Sequence, residues 1–362
     1  MFGVRASSIR PVFSIPSTIT TPTYGVAYSE TLSITESYVS DLGNYSFVRT
    51  SGTLPAGITL TTAAKSFTLS GTPTSKSAFS FTITASLLGK SYAVTYTGTP
   101  SVTKITASGG TTYDYGGYRV HVFTALSNFV VSSGCDDVEV MLLSGGGGGR
   151  ANGNGAGGGG GGGKKIQTAL RISGTNAVVI GGGGAAGSAG TASSACGVIG
   201  NGGGAGGDNG QTGGTGGSGG GSGAFALSGG SATISGTTGY AGGKGGWFNG
   251  GGGGGAGGAG NDGNAQPNET GGYGGSGQAF PYMSGWADPA TLVGRGGGGG
   301  GGGGANGGNA LGGSGGGTGK GNAPGVGGIG TNGDANYGGG GGGGYFTGGN
   351  GSTGMVWIRY PL

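Results

Sequence analysis

The sequence predicts an all-β chain in which one β-sandwich is followed by a second that carries a very large glycine-rich insertion. Three observations predict it. First, residues 22–103 consist of short runs rich in Thr, Val, Ile, Phe and Tyr, such as "SFTLSGTP" and "FSFTITASL", that alternate apolar with polar. Gly, Pro, Asn and Ser punctuate them about every 8–12 residues, the spacing of a β-sandwich. Second, 96 of the 109 glycines lie from Gly145 onward, so the composition breaks at Ser144/Gly145. Third, strand-like segments flank the glycine on both sides, the last being "GMVWIRYPL" at the C-terminus.

Residues 1–21 read as an extended arm. Pro11, Pro16 and the following Pro22 deny it a helix. Phe2, Val4, Val12, Phe13 and Ile15 must be buried somewhere, and the expectation is docking on a partner protein. Residues 22–103 form the first sandwich. Within it, "GTLPAGITLTTAAKSFTLSGTPTSKSAFSFTITAS" (Gly52 to Ser86) resembles the Ig domains of bacterial and phage surface proteins. Leu54, Pro55, Gly57, Ile58 and Leu60 match that family's first turn. Leu69, Gly71, Thr72 and Pro73 match the second, and Phe79, Phe81 and Ile83 the strand after it. The resemblance implies an Ig-like spacer without enzymatic activity.

Residues 104–362 form the glycine-rich domain. Strands within 104–181 and at 354–360 bracket a glycine region spanning 145–353. "YRVHVFT", "SNFVVS" and "DVEVMLLS" precede the glycine, and "KKIQTALRIS" and "NAVVIGGGG" follow its second run. The terminal strand needs partners, and "DVEVMLL" with "NAVVI" is the economical choice. The order and motifs of "YRVHVFTALSNFVV", "DVEVMLLSGGGGG" and "GMVWIRY" resemble the glycine-rich domain at the ends of phage tail proteins. By composition and segmentation the insertion is also similar to the adhesins at the tips of T-even-type long tail fibres. Their glycine segments form a lattice of polyglycine II helices with variable loops at one end.

That lattice has a physical basis in the runs themselves, among them Gly157–Gly163, Gly296–Gly304 and Gly338–Gly344. A left-handed helix of the polyproline II type has three residues per turn and no internal hydrogen bonds. Without side chains, such rods can bond to neighbours in every direction. Ordering costs roughly 1–2 kcal/mol per residue, and glycine lies at the expensive end. The rod ends therefore need a clamp, which the flanking strands supply. Collagen is excluded, because it needs glycine at every third position and abundant proline.

Between the runs lie aromatic residues that such a lattice cannot hold: Trp247 and Phe248, Tyr273, Phe280, Tyr282 and Trp286 with Asn268 and Asp288 nearby, and Tyr345 with Phe346. Tyr and Trp beside Asn and Asp are the usual vocabulary of binding loops. These residues are the candidate receptor-binding set. The resemblances imply a phage virion protein of the tail or fibre, assembled in the bacterial cytoplasm. Its arm would meet other virion proteins and its loops a host surface glycan or outer-membrane protein. It would be a homotrimer or one chain on a trimeric fibre. A head fibre, capsid decoration or fibre-joining component is the alternative.

Other chemistry finds little support. Charged residues make up 8% of the chain, and the densest basic cluster is Lys164-Lys165, so nucleic acid is not an expected partner. No apolar run approaches the roughly 18–20 residues of a membrane span. One histidine, His121, and two distant cysteines, Cys135 and Cys196, assemble neither a zinc site nor a catalytic triad. No cofactor or catalytic role is expected. His121 reads as a structural strand residue.

Overall fold

The computed structural model describes residues 12–37, 44–151, 156–233, 239–263, 271–277, 298–303, 312, 328–335 and 337–362. Among these the secondary structure is β throughout. The chain forms two compact units, Met1–Lys104 with Gly134–Asp136, and Ile105–Ser133 with Asp137–Leu362.

The first unit holds β1 (Val12–Ser14), β2 (Tyr28–Ser33), β3 (Thr35–Ser37), β4 (Ser46–Thr53), β5 (Ile58–Thr62), β6 (Ser66–Gly71), β7 (Phe79–Leu87) and β8 (Lys90–Gly98). Sheets β2-β6-β5 and β4-β7-β8 enclose one core, and β1 pairs with β3. A file of rings runs through that core, from Phe13 by Tyr45, Phe47, Phe67, Tyr96 and Phe81 to Phe79, with successive centroids 4.9–6.4 Å apart. The two turn motifs meet face to face. A Cβ on Gly57 would stand 2.1 Å from the Thr72 carbonyl oxygen, and one on Gly71 2.1 Å from that of Gly57, so both positions require glycine.

The arm departs from expectation. Val12–Ser14 pairs with Thr35–Ser37, and Phe13 and Ile15 are buried in the chain's own core rather than left for a partner. Phe13 packs edge-on against Tyr45. Phe13, which was expected to need burial, lies in a first strand and Ile15 directly follows it. Residues 1–11 lie outside the described residues.

The second unit is built on two five-stranded sheets. The strands are β9 (Thr103–Ser108), β10 (Thr111–Tyr115), β11 (Tyr118–Phe123), β12 (Ser127–Cys135), β13 (Asp137–Leu143), β14 (Lys164–Arg171), β15 (Gly174–Val179), β16 (Ser193–Ala195), β17 (Val198–Gly200) and β18 (Met355–Pro361). The sheet orders are β10-β11-β18-β13-β14 and β17-β16-β15-β12-β9. Phe123, Phe129, Val140, Leu142, Val178, Val356 and Ile358 fill the space between them. The first sheet is also apolar on its other face, where Val120, Met141, Leu143, Met355 and Trp357 cluster. Burial on both faces explains the unbroken apolar runs Val140–Leu143 in β13 and Met355–Ile358 in β18.

Strand β18 pairs with β13, as expected, and with β11 rather than the "NAVVI" strand, β15. β15 has exposed positions alternating with its buried ones and belongs to the outer sheet, whereas the doubly apolar β18 fits only a central position. Opposite Glu139, Arg359 donates to its carboxylate and lies 4.3 Å over the Tyr118 ring. Leu143 and Met355 are direct cross-strand partners, so the first glycine segment begins and the last one ends at adjacent strand ends.

Between those ends the glycine segments are neither sheet nor coil. Gly145 and Gly148 donate to the carbonyls of Thr191 and Ser188. Gly146 and Gly149 donate to Ser352 and Gly349, and Gly147 and Arg150 to Gly160 and Gly157. Donors and acceptors both advance by three, the period of a polyglycine II helix. The carbonyls of the same segment accept from Gly203 and Gly206, Gly184 and Gly187, and Gly341 and Gly344. One rod thus bonds to six neighbours, three antiparallel and three parallel. Segment 250–255 repeats the pattern, donating to Gly303 and Gly300, Ser222 and Gly219, and Asn261 and Gly258. Such packing leaves no room for a side chain. A Cβ on Gly159 would lie 2.0 Å from the Gly147 carbonyl oxygen, and one on Gly253 2.0 Å from that of Gly159.

Two outcomes follow from these contacts. Gly159→Ala should cost the second unit at least about 3 kcal/mol of unfolding free energy, because backbone must move to admit the methyl group. Gly182→Ala, whose Cβ would meet only the Thr191 hydroxyl at 3.7 Å, should change it by less than about 1 kcal/mol. Denaturant unfolding of the two variants compares them, and equal effects would contradict the close packing. The second outcome concerns His121, which is fully buried in β11. Its Nδ1 donates to the Gly109 carbonyl at 2.7 Å, and Nε2 lies 3.3 Å from the Tyr360 hydroxyl. Burial holds the imidazole below its ordinary pKa of 6.5, with Arg119 adding to the shift and the Gly109 bond opposing it. The unfolded chain then binds the proton more readily, so stability is complete above pH 6.5 and falls as pH drops below it. Unfolding free energy should decline from pH 7.5 to 5 with a slope of at most about 1.4 kcal/mol per pH unit. His121→Gln should abolish that slope.

A candidate binding face at the far end of the glycine lattice

The rods run away from the sandwich and back. At three residues per turn and about 3.1 Å per residue, six residues carry the chain roughly 19 Å from the strands. Rod interiors hold glycine with a few small residues such as Ser218 and Ser222, so larger side chains collect where rods reverse. The reversals remote from the strands include Ala185–Ser188, Asp208–Gln211, Ala224–Leu227, Gly245–Asn249 and Tyr345–Phe346. Several are closed by their own backbone bonds, such as Ser188 to Ala185, Gln211 to Asp208 and Gly246 to Asn249.

Charged side chains tie this end together. Arg150 donates to the Asp208 carboxylate at 3.2 and 3.3 Å and to the Gly187 carbonyl at 3.3 Å, joining three rod ends. The Lys244 ammonium lies 3.6 Å from Asp262, whose other carboxylate oxygen accepts the Lys244 backbone N–H at 2.8 Å. Gly263 donates to the Lys244 carbonyl and Phe225 to that of Gly246, both at 2.8 Å.

On this frame stands an exposed apolar cluster. Trp247 is 68% exposed, Phe225 46% and Leu227 91%. The Phe225 ring meets Phe248 edge-on at 5.3 Å and lies 6.3 Å from Trp247. Phe225 also holds a left-handed backbone, φ 64°, uncommon for a bulky side chain and costing on the order of 1–3 kcal/mol. Phe225, Leu227, Trp247, Lys244 and Asp262 border a cleft of about 370 Å³. Elsewhere at the same end, the turn between rods 338–344 and 347–353 presents Tyr345 and Phe346, their rings edge-on at 4.9 Å with Phe346 59% exposed.

The sequence-derived candidates therefore divide. Trp247, Phe248, Tyr345 and Phe346 share the far end. Tyr273 is exposed on the flank of segment 271–276, whose backbone bonds reach the 250–253, 257–261 and 299–302 segments. Asn268, Phe280, Tyr282, Trp286 and Asp288 lie outside the described residues. The described residues flanking Asn268, Gly263 and Gly271, stand at the far end. Those flanking Phe280 to Asp288, Ser276 and Gly298, stand at the strand end. Phe225, Leu227, Lys244 and Asp262 were not among the candidate receptor-binding residues. The readable signal was parity: successive glycine runs alternate in direction, so alternate connections share an end.

Among the described residues no three His, Cys, Asp or Glu side chains come together as a metal site would require. Cys135 and Cys196 are free thiols, and burial pushes the Cys196 thiol up to about 12.

A family model described as a glycine-rich domain matches residues 123–361, from the end of β11 to the last residue of β18. No curated protein gives a significant match.

Proposed function

Given that the chain belongs to the family of glycine-rich domains, we propose that it is a phage virion protein at the tip of a tail fibre or tail, where it binds a host surface receptor. The observation that carries this reading is the exposed aromatic cluster on a face whose backbone is fixed by rod-to-rod hydrogen bonds. Exposed Trp and Phe are unfavourable in water unless a partner covers them, and rigid loops bind with little ordering cost. The resemblance of the flanking strands and of the Ig-like motifs to phage surface proteins supports the virion setting. The N-terminal unit would attach to other virion proteins, and the far face would meet a host glycan or outer-membrane protein. The reading assigns no catalytic step, cofactor or nucleic acid.

A second reading is a non-adhesive virion component such as a head fibre or joining protein. Tyr240 and Tyr273, 47% and 45% exposed away from the far-end turns, favour it, since neighbouring virion chains could cover them. Immunogold labelling of virions and binding of fluorescent full-length protein to a panel of bacterial strains decide between the two. Label at the tail or fibre end, with saturable binding to a subset of strains, is the expected result. Label on the head and binding to no strain would overturn the adhesive reading.

A further inference from the structure

We propose that the cleft bordered by Phe225, Trp247, Lys244 and Asp262 is a binding site for a neutral pyranose sugar. The inference rests on the adhesive reading and names its ligand class. A pyranose presents an apolar face of C–H groups and a rim of hydroxyls. The exposed Trp247 indole and Phe225 ring offer an apolar surface for the face. Asp262 offers acceptors and Lys244 donors for the rim, and they lie on the same cleft.

Size and charge narrow the choice. About 370 Å³ falls at the lower end of small-ligand sites, roughly 300–1,000 Å³, which suits one or two sugar rings. Lys244 and Asp262 neutralise each other at 3.6 Å, so the cleft offers hydrogen bonds without net charge. An acidic sugar or a phosphate would face the Asp262 carboxylate, and among the described lining residues the one cation, Lys244, is already paired with it. A protein loop would call for a broader apolar contact than this recess.

The site is also preorganised. Both polar residues sit where rods end, and the Asp262 carboxylate is fixed by the Lys244 backbone N–H at 2.8 Å. The strained backbone of Phe225 aims an aromatic ring at solvent where glycine would satisfy the turn without cost. Strain of this kind is a common mark of binding sites.

The test uses full-length protein with methyl pyranosides of neutral hexoses and with glucuronate, followed by saturation-transfer NMR and titration. At least one neutral glycoside should bind with a Kd of roughly millimolar order. Trp247→Ala and Asp262→Asn should each weaken it by roughly tenfold or more, with melting curves unchanged. Preference for glucuronate, binding indifferent to both substitutions, or no neutral sugar bound would overturn the proposal. Cell adhesion supplies the separate readout. Adhesion lost when surface sugars are oxidised with periodate supports the site. Adhesion that survives periodate but is lost after protease treatment points to a protein receptor and sinks it, while leaving the adhesive role standing. Sugar binding at the cleft without adhesion to any strain would do the reverse.

Discussion

The close approach of backbone to backbone governs the second unit. Where a carbonyl oxygen occupies the space a Cβ would need, as Gly147 does beside Gly159 and Gly159 beside Gly253, no residue but glycine fits. That exclusion lets one rod reach six neighbours at once. It also separates the chain's two tasks. Rod interiors hold glycine and a few small residues such as Ser218 and Ser222, so most large side chains able to recognise a ligand are displaced to turns. Trp247, Phe225 and Phe346 stand at turns for this reason, as do the Arg150–Asp208 and Lys244–Asp262 pairs.

A lattice of this kind cannot stand by burial alone, because glycine offers no side chain to remove from water. Each interior residue gains backbone hydrogen bonds worth about 0.5–1.5 kcal/mol net against a backbone entropy cost of similar size. The sandwich tips the balance. Leu143 and Met355 pair across adjacent central strands, and their sheet is apolar on both faces. The first rod begins at the end of β13 and the last ends at the start of β18, so both are held by a core that does bury side chains. Ser193 completes the join, donating to the Leu143 carbonyl at 2.8 Å and accepting from Gly181.

Much of this was legible in the sequence, and the gaps have physical causes. The break at Ser144/Gly145, the bracketing strands and the turn glycines Gly57 and Gly71 all report local backbone needs, which sequence expresses directly. The partner of β18 was half legible: an apolar strand shows that it needs neighbours, but its unbroken pattern had to be read as burial on both faces to exclude β15. Where Phe13 and Ile15 are buried was not legible, because they look the same in sequence whether buried at home or on a partner. Among the candidate site residues, aromatic identity was visible, but position was not. The richest segment, from Phe280 to Trp286, drew attention by composition and lies outside the described residues. That Phe225 and Asp262 share a cleft gave no local signal, since it joins connections nearly forty residues apart in the sequence and only the rod packing brings them together.

The central claim is that side-chain-free chain is ordered here by hydrogen bonds in three directions. Hydrogen–deuterium exchange followed by mass spectrometry on peptides spanning residues 144–163 and 249–263 measures this directly. If the lattice exists, the amides of residues 144–150, 157–163 and 250–255 exchange as slowly as those of β13 and β18, because each of them donates a backbone hydrogen bond. Exchange at the rate of an unstructured glycine chain, with β13 and β18 still protected, would contradict it.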